Sequence, residues 1–253
     1  MYEAWMDSPK KWLDGQTPRG AFEAVDDPRM LVSALVAYVK EDVELPDPLV
    51  DCILEKREEI YPILYQLLFA DESGDEEMSR DQLLDVQAHA ISLISEMQME
   101  HPLPRYLEII QTLEEDCEYA EHAMEALEQA GDVIKEELLT CYSKAQGFSK
   151  ACAIELLSRL TGDERIFAIL MDELRADDIS LQFMASCLER YGDERALPAL
   201  RGLLGDSGIS YSEFVGLKNA VESLSGEEVE ERDFTGDAVY DYLAQEREEE
   251  DES

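Results

Sequence analysis

The chain has 253 residues, 45% of them hydrophobic, which is enough apolar side chain for a packed core and excludes a disordered polymer. It carries 60 Asp and Glu against 21 Lys and Arg, a formal charge of −39, and a field of that sign repels phosphate polymers and anionic lipid heads, so neither nucleic acid nor a membrane is expected as a partner. No apolar run reaches the roughly 18–20 residues of a bilayer span, and MYEAWMDSPKKWLDG lacks the basic start and apolar stretch of a secretory leader, so a cytosolic setting is expected.

From the N-terminus, residues 1–45 are punctuated rather than periodic. Ser8-Pro9, Thr17-Pro18, Asp27-Pro28 and Asp47-Pro48 each join a capping side chain to a proline whose missing N–H breaks nothing in a first turn, which predicts four helix starts. Leu13-Asp14-Gly15 marks a turn between the first two. Trp5, Trp12, Leu13 and Phe22 are expected to cover the open end of the helices that follow. Residues 28–40 predict a helix with Met30, Leu31, Ala34, Leu35 and Tyr38 on its apolar side.

A helical hairpin is expected over 48–70, then an acidic loop over 71–81, DESGDEEMSRD. Residues 81–100 predict a long helix carrying Leu84, Ala88, Ile91, Ile94 and Met97, which Pro102-Leu103-Pro104 breaks. Helix pairs follow at 118–130 with 133–145, 149–160 with 163–175, and 180–191 with 193–204. Beyond Gly205 the pattern loosens, with helices expected at 211–224 and 237–244. The last residues, EREEEDES, hold no apolar side chain to repay the entropy of ordering and are expected to be a solvated tail.

The clearest internal repeat unit is YGDERALPALRGLLGD at 191–206. Gly162-Asp163-Glu164-Arg165 stands 30 residues before Gly192-Asp193-Glu194-Arg195, and Gly131-Asp132 lies another 31 upstream. In each unit Gly-Asp supplies a break and an N-cap. Ala196, Leu197, Leu200, Leu203 and Leu204 then share one helix face, as do Ile166, Phe167, Leu170 and Leu174. The register extends to Pro62, Leu64, Leu67 and Leu68, and to Tyr106, Leu107, Ile109, Ile110 and Leu113. A period near 30 residues leaves room for two short helices and two turns, and a helix with one apolar face must bury it on a neighbour.

DERALPALRGLLGD and DERIFAILMDELRAD resemble the second helix of HEAT repeats of the short bacterial kind, over about residues 46–206, although longer HEAT units span about 40–47 residues and the unit at Gly131 is degenerate. The resemblance implies an all-α fold, an α-α superhelix of about five helical hairpins with terminal capping helices. The expected division is an N-terminal helical cap at 1–45, repeats at 46–206, a C-terminal cap at 207–244 and an acidic disordered tail at 245–253. An irregular helical bundle is the alternative.

A second resemblance is local. Trp12, Leu13, Thr17, Pro18 and Arg19, in WLDGQTPR, are similar to the W…L-G-G-x-T-P-x-E-A motif of the toxin-binding part of certain bacterial antitoxins and of proteins carrying SEC-C-type zinc modules. Gly20 stands where that motif has an acidic residue, and no cysteine-rich module follows. The likeness covers fewer than 20 residues and transfers no activity.

Chemistry is expected to be absent. Cys52, Cys117, Cys141, Cys152 and Cys187 are an odd set spread along helices, the usage of reduced thiols, and no disulfide is expected. His89, His101 and His122 lack metal-ligand spacing, and Glu118 with His122 beside Cys117 falls short of the three or four ligands a stable site needs. No nucleophile elbow, phosphate loop or dinucleotide fingerprint occurs, and no catalytic residue, cofactor or metal is assigned.

The expected function is therefore non-catalytic protein binding, with a cationic partner in a groove lined by the second helices. Aligned copies put Tyr65, Ile110, Thr140, Met171 and Arg201 in one row, and Gln66, Gln111, Cys141, Asp172 and Gly202 in the next. Tyr65, Gln66, Gln111, Asp172 and Arg201 are the expected partner contacts. Two further readings stay open: an antitoxin-like or immunity-like neutraliser of a basic protein, and an enzyme accessory resembling HEAT-like lyase subunits that attach bilins. Acidity on this scale also serves solubility alone.

Overall fold

A computed structural model describes residues 6–70, 78–176 and 178–251, the side chains of Trp12 and 247–251 excepted. The described residues are helical with no strand among them, the all-α class that a helical apolar period demands. Trp5, most of the acidic loop (71–77) and the last two residues of the expected tail lie outside the described residues. The chain divides into two compact units, Met1–Gln129 and Ala130–Ser253, and each is taken by itself.

The first unit contains a 3-10 turn at Lys11–Leu13, then α1 (Pro18–Glu23), α2 (Pro28–Lys40), α3 (Asp47–Glu55), α4 (Arg57–Leu67), α5 (Arg80–Glu96), α6 (Leu103–Ile110) and α7 (Glu118–Ala130), whose final residue falls across the division. Thr17 and Asp27 cap as expected, accepting from the amides of Gly20 and Arg29 at 3.0 Å each. Asp47 is itself the first residue of α3 and makes no cap bond. No helix starts at Pro9. The Lys10 amide instead donates to Gln16 O at 2.9 Å, closing a loop with Asp14 and Gly15 at φ of 51° and 86°, which a right-handed helix cannot accommodate.

α2 packs on α3, α4 and α5, and that arrangement selects its buried stripe. Leu31, Val32 and Leu35 are buried, whereas Met30, expected on the apolar side, is 61% exposed. α3 and α4 meet at Lys56 with no glycine or proline between them; the ammonium ties this corner down by donating to Val25 O at 2.6 Å. Since α4 begins at Arg57, Pro62 lies inside the helix and its side chain is exposed, which corrects its placement on the apolar face.

Helix ends are closed by side chains from later helices. Buried Gln87 donates its amide to the carbonyls of Leu67 (3.1 Å) and Ala70 (3.2 Å), and Arg105 Nε donates to Leu68 O at 3.1 Å. Gln82 does the same for α2 at Lys40 O, 3.0 Å. Each satisfies a carbonyl that a helix terminus leaves without an intrahelical donor.

The second unit starts with a 3-10 turn at Gly131–Ile134. It continues as α8 (Lys135–Tyr142), α9 (Gly147–Leu157), α10 (Glu164–Glu173), α11 (Leu181–Tyr191), α12 (Leu197–Leu204, led in by a 3-10 turn at Glu194–Ala196), α13 (Tyr211–Ser225) and α14 (Ala238–Asp251). α8 packs on α9, α10 on α11, and α13 on α11, α12 and α14. Gly216 permits the closest of these approaches, since a Cβ there would stand 2.9 Å from Gln182 Cγ and 3.2 Å from its Cα. Ile166, Leu170, Ala196 and Leu200 of the two repeated helices are completely buried.

Turns of the second unit follow the glycines. Gly131, Gly162 and Gly192 all sit at positive φ (57°, 85° and 78°), which L side chains adopt only with strain. α14 runs on to Asp251, past the end expected at 244, because QEREEED contains strong helix formers and no breaker. Tyr240 holds its start against Tyr211 at a centroid distance of 5.1 Å.

Leu170→Ala removes a fully buried side chain and is expected to cost about 2–5 kcal/mol in urea unfolding. Gly192→Ala, strained at φ 78°, is expected to cost about 1–2 kcal/mol by the same measurement.

Candidate functional site

The expected contact residues occupy both units. Tyr65 and Gln66 lie on α4 and Gln111 just past α6, while Asp172 lies on α10 and Arg201 on α12. Gln66, Gln111, Asp172 and Arg201 are exposed and Tyr65 is half-buried. Two members of the aligned rows belong to the core: Ile110 and Cys141 are buried at 2% and 4% exposure, since a helix of eight residues has few positions with which to hold its neighbours. Several exposed members are engaged locally. Gln111 Nε2 donates to Leu107 O at 3.1 Å, Asp172 accepts from Arg175 at 3.1 Å, and Arg201 donates to Glu227 at 2.6 Å.

Tyr65 is the centre of an aromatic ridge. Its ring lies 5.7 Å from Tyr61 and 5.3 Å from Phe69, positions four apart along α4 and just past its end, and Phe69 is 50% exposed. Arg105 approaches Phe69 with its guanidinium 5.8 Å from the ring centroid. The spacing Tyr-x3-Tyr-x3-Phe was legible in the sequence, but the apolar register drew Leu64 and Leu68 forward instead.

In the second unit the repeated Asp-x-Arg forms a clasp. Arg165 donates to both oxygens of its own N-cap, Asp163 (2.7 and 3.1 Å), and to both oxygens of Glu136, 29 residues earlier (2.7 and 3.0 Å). Arg195 does the same with Asp193 (2.6 and 3.0 Å) and with Glu164, 31 residues earlier (both 3.0 Å). The degenerate unit has Val133 where Glu164 stands in the next copy, so Arg165 takes Glu136, one turn on. Tyr191 adds a third link, its hydroxyl donating to Asp163 O at 2.8 Å, and its ring stacks on Phe167 at 6.1 Å. Arg195 lies 4.3 Å above that Phe167 ring.

These bonds shift the participating groups. The Arg165 guanidinium and backbone amide hold the Asp163 carboxyl down at about 2, and Arg165 likewise lowers Glu136. In the first unit, burial lowers His101, whose Nδ1 lies 2.8 Å from Tyr106 OH and whose Nε2 lies 3.2 Å from Ser95 Oγ. Ser95 donates to Ile91 O at 3.1 Å, so its oxygen accepts from Nε2–H and Nδ1 accepts from the tyrosine. That chain spends every proton on structure and leaves no base free to activate the serine.

At the N-terminus, Leu13 and Pro18 help line an apolar cleft of about 600 Å³ together with Met6, Phe22, Leu31 and Tyr38. Thr17 caps α1, and Arg19 bonds Asp7 at 2.9 Å and approaches Asp51 of α3 at 3.6 Å, so the motif is built into the packing of α1 on α3. Trp12 lies in the 3-10 turn, with its side chain outside the described residues. Met30 and Val43, 61% and 51% exposed, border the cleft, and Glu44 is the charged residue among the described lining.

Among the described residues, no group of three or more His, Cys, Asp or Glu could hold a metal ion. None of the five cysteines is in a disulfide, and burial pushes the Cys187 thiol up to about 11, far from the thiolate a nucleophile needs at neutral pH. No helix among the described residues is long and apolar enough to cross a membrane.

Two outcomes are expected. Asp163, depressed in the folded chain, contributes stability that is present above its ordinary value of 3.8 and lost as pH falls toward about 2. The melting-temperature gap between wild type and Arg165→Met is thus expected to be complete at about pH 5 and to close by about pH 2. Deleting residues 1–27 removes α1 and the Val25 carbonyl that anchors Lys56, and is expected to lower the melting temperature by several degrees in a calorimetric scan. Comparison with protein-family models, with curated proteins and with solved structures finds no match to this chain.

Proposed function

We propose that the protein is a non-catalytic binding scaffold for another protein with a cationic surface. One observation carries this reading: the acidic surplus is neither buried nor paired within the chain. Even if every Lys and Arg were matched to one carboxylate, 60 − 21 = 39 would remain. Of the described Asp and Glu residues only Glu173 is buried, so the other described carboxylates reach solvent. Such a field steers a cationic protein into encounter and raises the rate of association more than its final strength.

The architecture we propose for this scaffold is an α-α superhelix of HEAT-like hairpins. Support comes from the second unit, where the bonds Arg165–Glu136, Arg195–Glu164, Tyr191–Asp163, Tyr142–Glu173 and Arg190–Ser158 join positions 28 to 32 residues apart. A separation that recurs near 30 residues is what stacked two-helix modules produce. A cytosolic setting agrees with five cysteines of which none is in a disulfide.

The test is affinity capture from the source cell at low and high salt, followed by association kinetics with the retained protein. Retention of one basic protein is expected, with an association rate that falls about tenfold or more between low and high ionic strength. Specific retention whose rate ignores salt would remove the electrostatic basis of the proposal.

A further inference from the structure

The N-terminal cleft is a different kind of surface from the acidic exterior around it. Its walls come from α1 and its end (Pro18, Phe22, Val25) and from one face of α2 (Leu31, Ala34, Tyr38). A volume of about 600 Å³ is within the range of ligand-binding sites and larger than one side chain needs. At its mouth, Met30 and Val43 belong to the lining yet stay 61% and 51% exposed, an apolar edge that faces water.

Charge narrows the occupant. A second copy of this chain would bring another −39 to the same place, and an anionic amphiphile would meet Glu44 at the cleft as well as that field. A small apolar amine would satisfy Glu44 but would cover only the parts of Met30 and Val43 that line the cleft, and both are more than half exposed. A helix with apolar residues along one face and lysines or arginines along the other meets all three features: its anchors enter the cleft, its flank covers the apolar edge, and its cations meet Glu44.

We propose that this cleft is the specific docking site for an amphipathic, cationic helical segment of the partner protein. The proposal rests on the acidic-scaffold reading and sharpens it: the field gathers cationic partners, and the cleft selects those that carry an apolar face.

The probe is a fluorescein-labelled synthetic peptide of leucine and lysine in amphipathic helical order, compared by fluorescence anisotropy with a lysine–serine peptide of equal charge and no apolar face. The full chain is expected to bind the leucine–lysine peptide more tightly. Met30→Asp and Val43→Asp, both at exposed positions and each checked for unchanged melting by circular dichroism, are expected to weaken that peptide about tenfold and to leave the lysine–serine peptide as it was. Glu44→Gln is expected to weaken it a few-fold and to lessen its salt dependence.

Equal binding of both peptides, salt-sensitive and indifferent to Met30→Asp and Val43→Asp, would overturn the cleft while leaving the acidic-scaffold reading intact. Binding of neither peptide would remove both. Two further results would reassign the cleft: dodecylamine bound there with the peptide undisplaced, or a sedimentation mass that falls from dimer to monomer in Met30→Asp.

Discussion

Short helices that cannot stand alone impose the main constraint on this structure. Helices such as α6, α8 and α12 have eight residues each, below the length at which a helix holds itself together in water. Their stability has to come from burying one apolar face, and in the second unit that burial repeats: Ile166 and Leu170 in one copy, Ala196 and Leu200 in the next, all fully enclosed. The polar bonds of Arg165, Arg195 and Tyr191 link one such helix to the preceding repeat.

The Asp-Arg-Glu clasp is the clearest case. Asp163 and Asp193 each cap a helix start, and the arginine two residues on closes over the cap and reaches back to the preceding repeat. The arginines are about half exposed, so the pairs contribute little free energy as isolated ion pairs. Their bidentate geometry fixes orientation instead. Val133 makes the point by exception: where the repeat loses its glutamate, the arginine finds Glu136 one turn away, so the spatial relation outlasts the sequence pattern.

Surface and core divide the chemistry between them. Burial raises the Cys187 thiol, and half-buried His101 is hydrogen-bonded between buried Tyr106 and exposed Ser95. Carboxylates collect outside, where they are solvated and free to act at a distance. At the N-terminus an apolar cleft, with Glu44 as the charged residue of its described lining, contrasts with that charged exterior.

Legibility followed the range of the interaction. Thr17 and Asp27 caps, the Gly-Asp breaks and the buried faces of the repeated helices depend on residues within one or two turns of each other, and local sequence carries that information. Met30, expected on the apolar side of α2, is exposed while Val32 is buried, because three neighbours pack on α2 and a helical wheel cannot say how many neighbours a helix has. Gln87 and Arg105, which close the end of α4 from a distance of 17 to 37 residues, carry no local signal at all. Pro62 fitted the apolar register in sequence, but α4 runs from Arg57 to Leu67 and leaves it inside the helix with its side chain exposed. Sequence alone determined the all-α class, the charge and the repeated caps, since these are set by composition and by neighbours in the chain. Tertiary structure alone decided which apolar side chains were buried and which were left lining an open cleft, because burial depends on what the rest of the chain brings alongside.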